Sequence, residues 1–278
     1  MKRVAHSRLD PAALLERAVA AARAAGEHAR RHADRRHEVV RGFAHDVKLR
    51  LDAECQAVAE SVVRAAYPEH AILGEETAAG AGRPAAGDGY EWIIDPIDGT
   101  VNFYHGLPLW CCSVAVRLGG QTLAGAVYAP VLGRLYTATV ATAARCNGRR
   151  LHVSDVRRLD RALITTGLDK QIDPALPPFE LFRALSSRVQ KARVLGSAAL
   201  DLCLVAAGQA DGYFESGIFT WDIAAAELIV RQAGGRAEQL ASQGGHRLCF
   251  LASNGHIHRA LRRLIRPRLQ MCPQGGEQ

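Results

Sequence analysis

Four carboxylates fall in two short blocks, Gly74-Glu75-Glu76 and Asp95-Pro96-Ile97-Asp98-Gly99-Thr100, and a fifth follows downstream in Trp221-Asp222. Like charges held close together repel, so a folded chain keeps them together only with protons or cations between them. An oxygen-only ligand set suits hard divalent cations, magnesium above all. Asp95 follows an apolar run, and Pro96 fixes the turn before Asp98. Glu75 and Asp222 could complete a set that bridges two magnesium ions. If a helix or tight turn opens at Gly99-Thr100, its free N–H groups point at an anion. Cations beside amide donors make a phosphate site, and paired metals stabilise both the attacking and leaving oxygens of an in-line displacement. The expected chemistry is magnesium-dependent hydrolysis of a small phosphate ester.

Those side chains need rigid carriers. Ala71–Gly74 reads as a short buried strand ending at Glu75, and Tyr90–Ile94 as a strand ending at Asp95. Asp222 opens a helical run that Gly234-Gly235 stops. Upstream, Asp10-Pro11 caps a predicted helix reaching about His32, with Leu14, Leu15, Ala18, Val19 and Ala22 at helical spacing. A second helix is predicted over about 52–66, before Pro68. Three β-rich runs between Cys111 and Ala138 are separated by Gly119-Gly120 and by Pro130 with Gly133, a meander pattern. Further on come a strand at Leu163–Thr166, a proline-bearing loop at 169–180, and a helix from Gly196-Ser197 to Gly208. A short strand follows at Tyr213-Phe214, then a last helix over about 256–265. Residues 78–89 read as an Ala/Gly-rich loop, and a polar tail from Pro267 onward as disordered. Strands alternating with helices predict a layered α/β arrangement.

The 278 residues suffice for one domain over 5–267, built from two closely packed lobes, about 5–150 and 151–267, with 268–278 as tail. The net charge of +7 suggests nucleic acid until it is located along the chain. Residues 1–41 hold ten Lys/Arg against five Asp/Glu, and 257–278 hold five against one, leaving 20 against 22 between them. Basicity confined to the ends reads as solvated helix surface, so nucleic acid is not the expected partner. No stretch approaches the roughly 20 charge-free apolar residues of a membrane span. Lys2, Arg3, Arg8, Asp10 and Glu16 interrupt the first twenty residues, unlike a secretory signal. Seven scattered cysteines without a CxxC pair fit reduced thiols in a cytoplasmic protein.

Trp92-Ile-Ile-Asp95-Pro-Ile-Asp98-Gly-Thr100-Val-Asn102-Phe103 closely resembles the first signature of the inositol monophosphatase family. The stretch from Trp221-Asp222 to Gly235 resembles its second. Gly74-Glu-Glu76, Gly196 to Asp201 and Gly208 to Glu215 extend the likeness over about 10–265. The resemblance implies a five-layered αβαβα sandwich and Mg2+-dependent, lithium-inhibited hydrolysis of a phosphate monoester. It implies that Glu75, Asp95 and the Ile97 carbonyl bind one ion, and that Asp95, Asp98 and Asp222 bind a second. Glu75, with Glu76 in support, would help a looser third. Thr100, hydrogen-bonded to Asp52, would orient the attacking water, so Thr100, Asp52 and Glu75 form the implied catalytic group. The Gly99 and Thr100 amides would hold phosphate, while Ala198 and Glu215 would face the substrate's alcohol portion, beside Asp98 and Asp222. Arg41 matches a family lysine position near the third ion, and a homodimer is common in the family.

The chain departs from the pattern twice. It reads Asp46-Val-Lys-Leu-Arg-Leu-Asp52 where the family favours Asp-Leu-Val-Thr, which removes a threonine near Asp52, and it lacks a glycine turn in 140–146. Glu215 in its Tyr-Phe-Glu context favours a phosphorylated polyol, most simply myo-inositol 1-phosphate. Histidinol phosphate, a sugar bisphosphate and a 3′-phosphoadenosine nucleotide are alternatives, the last opposed by Val101, and a non-catalytic binding protein is a further one. His256-x-His258 reads as helix-start polar groups with no nearby acid, and Cys111-Cys112 as strand packing. Asp98→Asn is expected to abolish turnover with little loss of stability.

Overall fold

A computed structural model of the chain describes residues 9–43, 46–77, 89–168 and 177–269. Residues 78–88 of the predicted loop at 78–89, the first part of that at 169–180 and the tail beyond 269 lie outside the described residues. Helix α1 (Pro11–Arg31) starts where Asp10 accepts the Ala12 N–H, and it buries Leu14, Ala18, Ala22, Ala25 and Ala29 on one face. Strands β1 (Val39–Phe43) and β2 (Asp46–Leu49) form a hairpin that leads into helix α2 (Arg50–Arg64). Strand β3 (Ala71–Gly74) lies parallel to β4 (Tyr90–Asp98), which turns into the short helix α3 (Thr100–Tyr104). The antiparallel meander follows as β5 (Cys111–Leu118), β6 (Gln121–Ala129), β7 (Arg134–Thr139), β8 (Thr142–Cys146) and β9 (Arg149–Arg150). These seven strands, β3 to β9, lie side by side in sequence order in one sheet.

The second half opens with β10 (Leu163–Thr166), helix α4 (Pro177–Ser186), β11 (Lys191–Arg193) and helix α5 (Ala198–Ala206). It continues with β12 (Gly212–Phe219), helix α6 (Thr220–Gln232), β13 (Arg236–Gly244), β14 (Arg247–Ser253) and helix α7 (His258–Leu269). Its five-stranded sheet runs β11-β10-β12-β14-β13.

Three apolar clusters fix the layering. Helices α1 and α2 pack with Trp92, Ile94, Val114 and Val116 on one face of the larger sheet. Helices α5 and α6 lie between the sheets, with Ile93, Ala115 and Val127 on one side and Tyr213 and Phe250 on the other. Helices α4 and α7 cover Ile164, Phe214 and Leu251 on the outer face of the smaller sheet. Neighbouring residues 92 and 93, or 213 and 214, go to opposite clusters, as strand alternation requires. The result is the αβαβα sandwich. Helix α6 is apolar nearly all round because it faces a sheet on each side.

Two expectations change. Pro177 and Pro178 do not sit in a loop: they open α4, since proline suits a helix's first turn. Pro267 falls inside α7, which runs on to Leu269, because a proline in a last turn forfeits only one backbone bond.

Candidate metal centre

Asp95 and Asp98 lie three residues apart on β4, and an ordinary strand would send them to opposite faces. A β-bulge prevents that. Asp95 pairs with Ser113 and Asp98 with Cys111, so β4 spends one extra residue across the same stretch of β5. Ile93 lies in the central cluster while Ile97 falls in the outer one, which shows the face switching within the bulge. The Ile97 N–H donates to Asp95 Oδ1 at 3.1 Å and holds the kink. Strand β4 therefore does not end at Ile94, as its apolar run suggested, but carries both aspartates within it.

Asp222 arrives from the first turn of α6, where one of its oxygens accepts the Phe219 N–H at 2.8 Å. Asp95, Asp98 and Asp222 each bring an oxygen within 4.8 Å of the others. Burial pushes the Asp95 carboxyl well above its usual range, and Glu75, Asp98, Asp222 and Asp52 add to it. Asp222 rises for the same reasons, burial first and then Glu75 and Asp98. Burial also raises Asp98, against donors that favour its anion: Ser197 Oγ at 2.6 Å, Ala199 N at 2.8 Å, Ala198 N at 3.1 Å and the Cys111 thiol. Three mutually repelling carboxylates with only oxygen donors fit a hard divalent cation.

Asp52 reaches the same region from the first turn of α2, where its Oδ2 accepts the Leu49 N–H at 2.7 Å. Its Oδ1 is buried with no hydrogen-bond partner among the described residues. Burial, against the Leu49 bond, lifts its pKa to about 8. The expected Thr100–Asp52 hydrogen bond is absent. Thr100 opens α3 and its hydroxyl donates to the Ile97 carbonyl at 3.0 Å instead, while the Leu49 amide takes the Asp52 oxygen. Gly99 precedes α3 at φ +96°, and a Cβ there would lie 2.9 Å from the Leu109 carbonyl.

Glu75 and Glu76 follow β3 and are fixed by their backbones. Glu75 N donates to the Ile94 carbonyl at 3.1 Å, and Glu76 N to Gln56 Oε1 at 2.8 Å. Their carboxylates meet Lys48 of β2, whose Nζ donates to Glu75 Oε1 at 2.9 Å and also to Glu76 Oε1. Burial works against the Lys48 ammonium, but the two glutamates outweigh it and raise its pKa. Arg41, which the family resemblance puts near a third ion, pairs with Lys48 across the hairpin, and Lys48 contacts both glutamates. A lone lysine between Val47 and Leu49 was the available signal.

On the far side, Glu215 of β12 accepts the Tyr213 hydroxyl at 2.6 Å. Burial, then Glu215 and Asp98, push Asp201 of α5 well up, and its Oδ1 is buried without a partner among the described residues. Ala198 opens α5 between the two regions. The histidines of His256-x-His258 have separate partners, with Asp155 3.8 Å from His256 Nε2. His258 Nδ1 lies 3.0 Å from Ser253 Oγ, and its Nε2 lies 3.2 Å from Glu238 Oε2, an acid brought by β13 from outside the local sequence. Cys111 and Cys112 are free and buried in different clusters, on opposite faces of β5.

Among the described residues, no helix is long and apolar enough to cross a membrane. A Pasteurella multocida protein named Nus factor SuhB is 38% identical over 265 residues, covering 93% of this chain and 96% of its own. The structure of an inositol monophosphatase from Anabaena superposes with a TM-score of 0.79 at 32% identity, covering 94% of this chain and 97% of that one. That of the extragenic suppressor protein SuhB from Bartonella henselae gives 0.81 at 32% identity, covering 91% and 98%. The model of the inositol monophosphatase family matches residues 10–271, and the chain belongs to that family.

Proposed function

We propose that the chain is a Mg2+-dependent phosphatase that hydrolyses a small phosphorylated polyol, with myo-inositol 1-phosphate the favoured substrate. The observation that carries this reading is the meeting of Asp95, Asp98 and Asp222 oxygens within 4.8 Å, at the place where the two sheets share α5 and α6. Magnesium, when bound, supplies charge against the phosphoryl oxygens and makes a neighbouring water easier to ionise. Glu75, Asp95 and the Ile97 carbonyl would hold one ion, and Asp95, Asp98 and Asp222 a second. Thr100 would orient the attacking water through its hydroxyl. Asp52, with one oxygen committed to Leu49 and the other without a partner among the described residues, is placed to exchange a proton near pH 8. Amides at Gly99 and Thr100 would hold the phosphate. Ala198 and Glu215 would bound the alcohol side, where Glu215 accepts hydroxyl donors. Lithium inhibition, a cytoplasmic location and a homodimer belong to the same proposal.

The test is phosphate release from myo-inositol 1-phosphate, histidinol phosphate, fructose 1,6-bisphosphate and 3′-phosphoadenosine 5′-phosphate, with and without Mg2+ and Li+. The inositol ester should be turned over best, only with Mg2+, and less with Li+. Preference for another ester would reassign the substrate; no release from any would sink the phosphatase reading. The name Nus factor carried by the Pasteurella relative brings a second reading, a binding role beside hydrolysis. Arg259, Arg263 and Arg266, exposed along one side of α7, favour an acidic partner such as RNA. Salt-sensitive RNA retention that weakens when all three become Gln would support it.

A further inference from the structure

Lys48 places a fixed positive charge inside the acidic site. Strand alternation sends Leu49 into the apolar core and turns Lys48 the other way, toward β3's end. There it reaches Glu75 Oε1 at 2.9 Å and Glu76 Oε1 as well. The glutamates cannot drift away together, because Ile94 and Gln56 anchor their backbones. Gly74 beneath them lets the Gln56 amide come close: a Cβ there would lie 2.4 Å from it and push aside the side chain that holds Glu76. The charge of Glu75 also acts on Asp95 and Asp222. It therefore stands between an inner aspartate group and an outer lysine-bound pair. A divalent ion bridging Glu75 and Glu76 would have to displace the ammonium that already satisfies both.

We propose that Lys48 is a built-in cation that fills the Glu75–Glu76 pair, so the centre takes up two divalent ions and leaves that outer position to the lysine. The inference rests on the magnesium reading and narrows it, replacing the looser third ion at Glu75 and Glu76. The lysine also holds the Glu75 carboxylate in place before any ion binds.

Calorimetric titration of the metal-stripped full chain with Mn2+ tests this, with free Mn2+ counted in parallel by its paramagnetic resonance. Wild type should bind two ions per chain. Lys48→Ala should bind a third, at least tenfold weaker than the other two, and Lys48→Arg should stay at two. Lys48→Gln serves as the second neutral variant should Lys48→Ala fold poorly, and it should also gain the weak ion. Three ions in wild type, or two in both neutral variants, would overturn the inference while leaving the phosphatase reading intact. Binding of no ion would sink the magnesium reading itself, and this inference with it.

Discussion

Asp98 is held by four donors: the Ser197 hydroxyl, the Ala198 and Ala199 amides and the Cys111 thiol. That grip changes what Asp98→Asn should do. An asparagine amide nitrogen cannot accept, so one of those buried donors would face another donor, at a cost of about 1–3 kcal/mol. Turnover should fall at least 100-fold, and urea denaturation should show the stability loss that residue types alone did not suggest. Asp222→Asn should separate the two effects. Its amide oxygen can still accept the Phe219 N–H, and one of the repelling carboxylates is gone, so the fold should lose no stability while turnover drops as far. Equal destabilisation by both variants would show that the contacts around Asp98 matter less than their geometry suggests.

The carriers behave as their local sequences dictate, with exceptions set by distant partners. The capped start of α1, the apolar run of β4, the meander after Cys111 and the glycine stop after α6 were all readable, as were the positions of Asp95, Asp98 and Asp222. The bulge was not, because it depends on how β4 pairs with β5. Nor were the partners of Lys48 and His258, since Glu75, Glu76 and Glu238 come from other strands. The Thr100 hydroxyl was assigned to Asp52 by likeness, yet it bonds three residues back to Ile97. Close packing of α6 on β6 gives an element-scale prediction. A Cβ on Gly125 would lie 2.8 Å from Ala225 Cα, in backbone and not in a movable side chain. Gly125→Ala should therefore cost about 1–3 kcal/mol, by pushing back the helix that carries Asp222. Its Mn2+ affinity should fall alongside its melting temperature; an unchanged affinity would show that α6 does not move.

Across the whole molecule, the carboxylates link stability to pH and to metal. Asp95, Asp98, Asp222 and Asp52 all have folded pKa values above their unfolded ones, Asp52 at about 8. Groups of this sign stabilise the fold while protonated, and that contribution disappears as pH rises through the folded value. The ion-free protein should lose melting temperature between pH 5 and pH 8. Protons and Mg2+ compete for the same oxygens, so the rise in melting temperature caused by Mg2+ should be larger at pH 8 than at pH 5. A rise that is larger at pH 5 would mean that other groups bind the ion.

The most direct measurement is an anomalous difference map from crystals soaked in Mn2+ with inorganic phosphate, recorded at the manganese edge. Strong peaks should lie among Asp95, Asp98 and Asp222, with the phosphate against them and beside Gly99 and Thr100. Manganese found only elsewhere, or phosphate bound apart from those three aspartates, would contradict the account.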